Sequence, residues 1–352
     1  MYYDLNTGQV ALPIAFDLPQ ITPPHEIGND DALPHRVSPG SAACLSFCRS
    51  QTVGQEGVGR MFHIVINPIA GKGRSARYRQ MIEDRLRAKD IPHRFHETRS
   101  PGDGSRIARQ LTASEKQECF DIVAMGGDGT LHEVLNGIAN PSKVRLGIIP
   151  CGSGNDFAAV ANIPPTAEGA LDVLLGCEAR FTDYLECGGI RGINAIGTGI
   201  DVEILRRYNR MRLLKGSAAY LASLVLTLLR YRARRFSEAQ AGETRSHSAL
   251  IACAGNGRRI GGGIPVCPEA IIDDGLMDIV IVDDMPGRSL PGGLVKLMKG
   301  QILQLPTTNF RRDSRLRLES EEAMPIQIDG EIYEGLPFDV RVISRALRVY
   351  RP

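Results

Sequence analysis

Five stretches of this chain combine acidic, hydroxyl or amide side chains with glycine at spacings that suit phosphate chemistry. The densest is Gly126-Gly127-Asp128-Gly129-Thr130, followed by Leu131-His132-Glu133 and preceded by the apolar run Asp121-Ile122-Val123-Ala124-Met125. A strand that runs into glycines and then directly into a helix lets the backbone approach a ligand closely. It also points unpaired N–H groups and the positive end of the helix dipole at that ligand. That arrangement binds phosphate, and Asp128 adds a carboxylate that can hold magnesium on it, directly or through water. Read alone, Gly-Asp-Gly is a tight connection with the acid as a cap; three glycines and an acid at one strand end favour the ligand.

Two further turns share this grammar: Asn67-Pro68-Ile69-Ala70-Gly71-Lys72-Gly73, and Gly152-Ser153-Gly154-Asn155-Asp156. Neither is a standard fingerprint. A Walker A loop needs glycine where Ile66 stands, and a dinucleotide loop needs a small residue where Phe157 stands. Lys72 reads as a solvated loop lysine. In the C-terminal half, Asn256-Gly257 and Gly261-Gly262-Gly263 precede Asp273-Asp274-Gly275, which is a plain turn or a cation site built on Asp274. Asp329-Gly330-Glu331 sets two carboxylates around a glycine. By itself this is a hairpin turn; beside a bound phosphate, one carboxylate could take the proton of an acceptor hydroxyl.

The elements that must position these residues follow from periodicity. Strands are expected at 63–66, 93–97, 121–125 and 146–150, and helices at 75–89, 105–111 and 130–139. This alternation implies an α/β domain with a largely parallel sheet, whose ligands bind at the carboxyl ends of the strands. After about residue 186 the alternation stops. One helix is expected near Lys215–Tyr231, with strands at 248–254, 277–282, 314–318, 325–328 and 338–343, a β-rich second domain.

The 352 residues fit two domains. A net charge of +2 gives no global field for nucleic acid, and the eight cysteines form no zinc spacing and suit a reducing compartment. No secretory signal or membrane span is legible, so the expected setting is cytoplasmic. Residues 1–60 are proline-rich and aperiodic; they read as a disordered extension, or Met61 is the true start. Arg206, Arg207, Arg210, Arg212 and Lys215 precede the apolar helix, and Arg230, Arg232, Arg234 and Arg235 follow it. This pattern suits docking on an anionic membrane surface, or a solvated basic face.

The five motifs, in this order from about Phe62 to Pro352, resemble the diacylglycerol kinase catalytic family, in particular its soluble bacterial lipid kinases, with sphingosine and ceramide kinases as more distant members. The resemblance implies an N-terminal three-layer α/β nucleotide domain (61–186, with 344–352 returning to it) and a β-sandwich second domain (187–343), with ATP in the cleft between them. It places Asn67, Pro68, Ile69, Ala70, Gly71, Thr98, Gly126, Gly127, Asp128, Gly129, Thr130, Leu131, His132, Glu133 and Ser153 at ATP. Asp128 and Asp156 would join a magnesium network at the phosphates, and Asp274 with the carbonyls of Ile271 and Leu276 a structural magnesium. Glu331 would be the proton acceptor, with Asp329 near enough to share that role. His132 stands where bacterial members often carry Asn. The implied reaction is ATP-dependent phosphorylation of a lipid hydroxyl, diacylglycerol first, then sphingoid bases, ceramide or phosphatidylglycerol. An enzyme of the NAD kinase type and a non-catalytic lipid-binding relative are the competing readings. A homodimer is compatible with the family.

Overall fold

The computed structural model describes residues 2–3, 10–11, 61–114, 119–210, 217–228, 231–240 and 243–352. The chain divides into two units, Met1–Glu56 and Gly57–Pro352. In the first, Tyr2–Tyr3 pairs antiparallel with Val10–Ala11; the rest of the extension anticipated at 1–60 lies outside the described residues.

The second unit opens with β1 (Phe62–Ile66), α1 (Ala70–Arg87), β2 (His93–Glu97), α2 (Asp103–Thr112), β3 (Phe120–Gly126), α3 (Asp128–Gly137), β4 (Val144–Pro150), α4 (Asp156–Val160) and α5 (Ala167–Gly176). The four strands are parallel in the order β2-β1-β3-β4. Every residue of β3 is buried, as a parallel strand covered on both faces must be. Ile64, Ile66, Ile122, Val123, Leu146 and Ile149 form one core with Ile82 and Leu86 of α1, Leu135 of α3 and Leu171 of α5. Asp121 is the one charge in β3; Arg145 on β4 grips it through two bonds of 2.8 and 2.6 Å, and the Tyr350 hydroxyl also donates to it.

The remainder comprises β5 (Ala179–Cys187), β6 (Ile190–Gly192), β7 (Ala195–Gly199), α6 (Ile200–Arg210), α7 (Ser217–Leu228), β8 (Arg234–Gln240), β9 (Glu243–Gly255), β10 (Met277–Asp283), α8 (Leu290–Met298), β11 (Thr308–Asp313), β12 (Arg315–Glu319), β13 (Ile326–Ile328), β14 (Glu331–Tyr333) and β15 (Phe338–Tyr350). Pairing within this part is antiparallel. The strands fold over a second core that includes Ile196, Ala252, Ile279, Ile281, Leu316, Ile328 and Phe338. Residues one step out of phase on the same strands, Ile251, Cys253, Val280 and Val282, face a third core beneath the helices, with Ile204, Leu224 and Leu294. The two-residue period of a strand thus serves two cores at once.

The last strand joins the halves. β15 runs antiparallel to β5 and then parallel to β4 at Arg348 and Val349. Residues 344–350 continue one thirteen-residue strand, Phe338–Tyr350.

The second half differs from the sequence expectation in its helices: α6 and α8 accompany α7. Ile200-Asp201-Val202-Glu203-Ile204 alternates apolar and acidic residues as a strand would, which conceals α6. In α8, Pro291, Gly292 and Gly293 are poor helix formers, and cover over the third core sustains the helix. Among the described residues, no helix is long and apolar enough to cross a membrane.

Candidate functional site

In the parallel order β2-β1-β3-β4 the crossovers run to opposite sides of β1, so β1 and β3 flank a switch point, where ligands bind. The loops leaving β1, β3 and β4 meet there by backbone contact. The Asn67 amide donates to the Met125 carbonyl at 3.0 Å, and the Cys151 amide to the Gly126 carbonyl at 2.7 Å. Gly71 has a φ of +58°, and a Cβ on it would overlap the Cys151 carbonyl. Gly127 lies so close to Gly152 that an added Cβ would sit 3.1 Å from its Cα. Arg74, which the sequence reading did not single out, closes the ring by donating to the Gly152 carbonyl at 2.5 Å. The glycines therefore let three loops stack tightly enough to present their amides in one place.

Asp128 holds the second loop rather than projecting alone. Its Oδ2 accepts the Asn155 amide at 2.7 Å and its Oδ1 accepts the Asp156 amide at 2.9 Å, at the start of α4. Asp156 in turn accepts the Gly262 amide at 2.7 Å, tying the loops that follow β3 and β4 to the glycine loop of the second half. Burial, with the adjacent Asp156 charge, pushes the Asp128 carboxyl up to about 6 despite these amides. Burial also raises Asp156. The two acids offer only hard oxygen donors and share a charge that a divalent cation would neutralise, so the pair fits magnesium chemically.

The other expected nucleotide residues divide. Gly129, Leu131 and Ser153 line the cleft with Asp128 and Asp156. The Ala70 amide donates to the Asn67 carbonyl at 3.1 Å, closing the turn around Pro68, and the side chain of Thr130 packs against Gly126. Ile69 is 80% exposed, and the Thr98 amide ends β2 on the Ile66 carbonyl at 2.9 Å. Glu133 spans the Gly102 and Gly104 amides at 2.8 and 2.9 Å, anchoring the start of α2. His132 is buried and turns towards the second half of the chain. Neither His132 nor Glu133 is among the residues that line the cleft.

Opposite the loops that follow β3 and β4 stands the β13–β14 hairpin. Its two-residue turn, Asp329-Gly330, has φ of 51° and 90°, the left-handed pair that a tight hairpin requires. Asp329 Oδ1 accepts the Asn194 and Ala195 amides at 2.9 and 3.0 Å, and its Oδ2 accepts the Ile193 amide at 2.7 Å. Three amides hold it as the anchor of the turn. Glu331 begins β14, and its Oε1 would lie 3.6 Å from a Cβ on Gly129. Its carboxylate therefore sits against the first turn of α3, and desolvation raises its pKa above the ordinary glutamate value.

The cleft continues past Asn194, Gln327 and Asp201, and beyond Asp201 and Ile260 lies a second, almost wholly apolar cavity. Ile204, Leu224, Leu228, Leu294 and Leu297 contribute to its walls. Asp201, also not singled out from sequence, is a fully buried acid at the junction. Its Oδ1 accepts the Val202 amide at 2.9 Å, its Oδ2 finds no partner, and burial pushes its pKa up to about 7.

The Asp273-Asp274-Gly275 turn lies apart from the cleft lining. Asp274 accepts the Leu276 amide at 3.0 Å, Asp273 pairs with Arg351, and the Gly275 amide binds Asp183 at 2.7 Å. Among the described residues, no group of three or more His, Cys, Asp or Glu side chains could hold a metal. A cation here would rest on one carboxylate and on backbone carbonyls such as those of Ile271 and Leu276, oxygen donors that a hard cation accepts.

Within the basic cluster, Arg206 pairs with Glu203 at 2.8 Å and Glu334 at 2.7 Å, and Arg207 donates to Thr227 at 3.0 Å. Arg232 and Arg235 are exposed. Arg212, Lys215 and Arg230 lie outside the described residues.

Residues 61–187 match the diacylglycerol kinase catalytic domain family, and residues 194–351 match the YegS C-terminal NAD kinase beta sandwich-like domain. A Pseudomonas fluorescens protein named "Probable lipid kinase YegS-like" is 32% identical over 257 residues, 71% of this chain and 83% of that one. A Pseudomonas aeruginosa protein of the same name is 34% identical over 261 residues, 71% and 82% of the two chains. The crystal structure of a diacylglycerol kinase from Bacillus anthracis superposes with a TM-score of 0.64 at 20% identity, over 83% of this chain and 97% of that one, which shows a shared fold. By sequence shared with relatives over most of both chains, and by two domain matches in order, the chain belongs to the YegS-like lipid kinases of the diacylglycerol kinase family.

Proposed function

We propose that the protein transfers the γ-phosphoryl group of ATP to the free hydroxyl of diacylglycerol, giving phosphatidic acid and ADP. The observation that carries this reading is the Glu331 carboxylate set against the glycine-lined start of α3. A general base and a phosphate cradle on facing elements are what phosphoryl transfer to an alcohol needs. The loops at Asn67–Gly71, Gly126–Thr130 and Gly152–Ser153 bind the nucleotide phosphates through backbone amides. Glu331 accepts the proton of the lipid hydroxyl as its oxygen bonds to the γ-phosphorus and the bond to the ADP oxygen breaks. Asp329 keeps the turn that carries Glu331 in place. Magnesium bound near Asp128 and Asp156 would supply charge neutralisation at the phosphates, and Asp274 with the Ile271 and Leu276 carbonyls would hold a structural magnesium.

The apolar cavity that joins the cleft at Asp201 and Ile260 supports a lipid acceptor. α7 and α8 line it with one side and expose Val225, Leu226, Val295 and Met298 elsewhere. Exposed Arg232 and Arg235 add positive charge after α7. These features support docking on an anionic bilayer from a cytoplasmic setting.

Labelled ATP, with and without magnesium, is to be offered with diacylglycerol, sphingosine, ceramide, phosphatidylglycerol and NAD, and the products separated by thin-layer chromatography. Magnesium-dependent label in phosphatidic acid is expected. Label confined to another lipid overturns the choice of substrate, and label in NAD alone, or in nothing, overturns the function.

A further inference from the structure

We propose that Tyr333 is a positioning residue for phosphoryl transfer, fixing Glu331 against α3 through His132. Glu331 and Tyr333 are two residues apart on β14, so their side chains leave the same face of that strand. The Tyr333 hydroxyl lies 2.8 Å from His132 Nε2, and the two rings are 6.1 Å apart at a tilt of 47°. His132 sits one turn beyond Asp128 on α3, the helix whose first turn Glu331 faces. The bond therefore spans the two halves of the cleft, from the strand that carries the base to the helix that starts the cradle.

The ring is held for this purpose. His132 Nδ1 is buried, has no hydrogen-bond partner and lies 3.6 Å from Asp329 Oδ2. A proton on Nδ1 facing that carboxylate leaves Nε2 to accept from the Tyr333 hydroxyl. Asn136, one turn further along α3, donates to the His132 carbonyl at 3.0 Å and the Arg191 carbonyl at 2.9 Å, while its own carbonyl accepts the Arg191 amide at 2.9 Å. One face of α3 is thus clamped to the second half at two successive turns, and only the Tyr333 contact lies next to Glu331 in sequence. A carboxylate at the mouth of a cleft has several rotamers; a hairpin fixed two residues away restricts where it can reach. Misplacement of a base by a fraction of an ångström to an ångström is enough to slow transfer.

The inference rests on Glu331 being the base, and the test separates the two. Glu331→Gln, Tyr333→Phe, His132→Asn and the double variant Tyr333→Phe/Glu331→Gln are compared for kcat, KM for ATP and melting temperature. Phe keeps the ring packing and removes only the hydroxyl. About a tenfold loss of kcat is expected for Tyr333→Phe, the worth of one hydrogen bond at the barrier, with KM for ATP unchanged. His132→Asn, too short to reach Tyr333, should lose at least as much. In the Glu331→Gln background the Tyr333→Phe loss should vanish, because the group it positions is gone. An undiminished Tyr333→Phe loss in that background, or unchanged kcat in Tyr333→Phe, overturns the positioning role alone. Full turnover in Glu331→Gln overturns the base as well.

Discussion

At the scale of single residues, four carboxylates around the cleft are distinguished by what already holds them. Asp329 is held by three amides and Asp128 by two, Asp156 by the Gly262 amide across the cleft, and Glu331 stands at the mouth with a raised pKa. Burial outweighs the two amides at Asp128, whose pKa still rises to about 6, so what sets Glu331 apart is its place against the first turn of α3. Glu331→Gln is accordingly expected to lower kcat by about 10²–10⁴, with folding intact because Gln keeps the shape of Glu. Steady-state kinetics decides this, and a variant with wild-type turnover removes Glu331 from the mechanism. Residue types told the sequence reading which groups could act. They could not tell it that Asp329 and Glu133 are occupied, since their partners lie 134–136 and 29–31 residues away.

At the scale of elements, strand-to-helix turns are the unit of function, and those with their own local grammar were legible. β1, β3 and β4 end in glycine-bearing loops that the chain announces by composition. α6 and α8 were not legible, because an alternating run and a Pro-Gly-Gly run contradict the helical pattern, and packing over the third core overrides both. α6 also carries a testable cost. Asp201 in its first turn is buried with Oδ2 unpartnered, and its pKa rises from 3.8 to about 7. The folded state therefore retains a proton that the unfolded state has lost, and stability falls as pH rises from about 4 to about 7. Asp201→Asn escapes this, being uncharged at every pH. Its melting temperature relative to wild type should be higher at pH 8 than at pH 5. Equal differences at the two values would show that Asp201 ionises freely.

At the scale of the whole molecule, the two halves share one sheet through β15 and one cleft through the bonds of Asp156 with Gly262 and His132 with Tyr333. The same architecture places α7 and α8 between the apolar cavity and solvent. If the protein works on a bilayer, it should sediment with vesicles containing anionic lipid and less with neutral ones, and added salt should weaken the association. Equal, negligible binding to both rejects docking. The amino-acid sequence by itself determined the α/β class of the first half, the β-rich second half, and the places of the glycine-bearing loops and of the Asp329-Gly330-Glu331 turn. Strand period, glycine at strand ends and carboxylate type are local properties of the chain. Only the tertiary structure decided which acids are already occupied, that Asp201 lies where the cleft meets an apolar cavity, and that His132 faces Tyr333. Each of these depends on partners distant in sequence and on burial, which no local pattern records. The feature that most sharpens the kinase reading, Glu331 against the start of α3, joins residues about 200 positions apart.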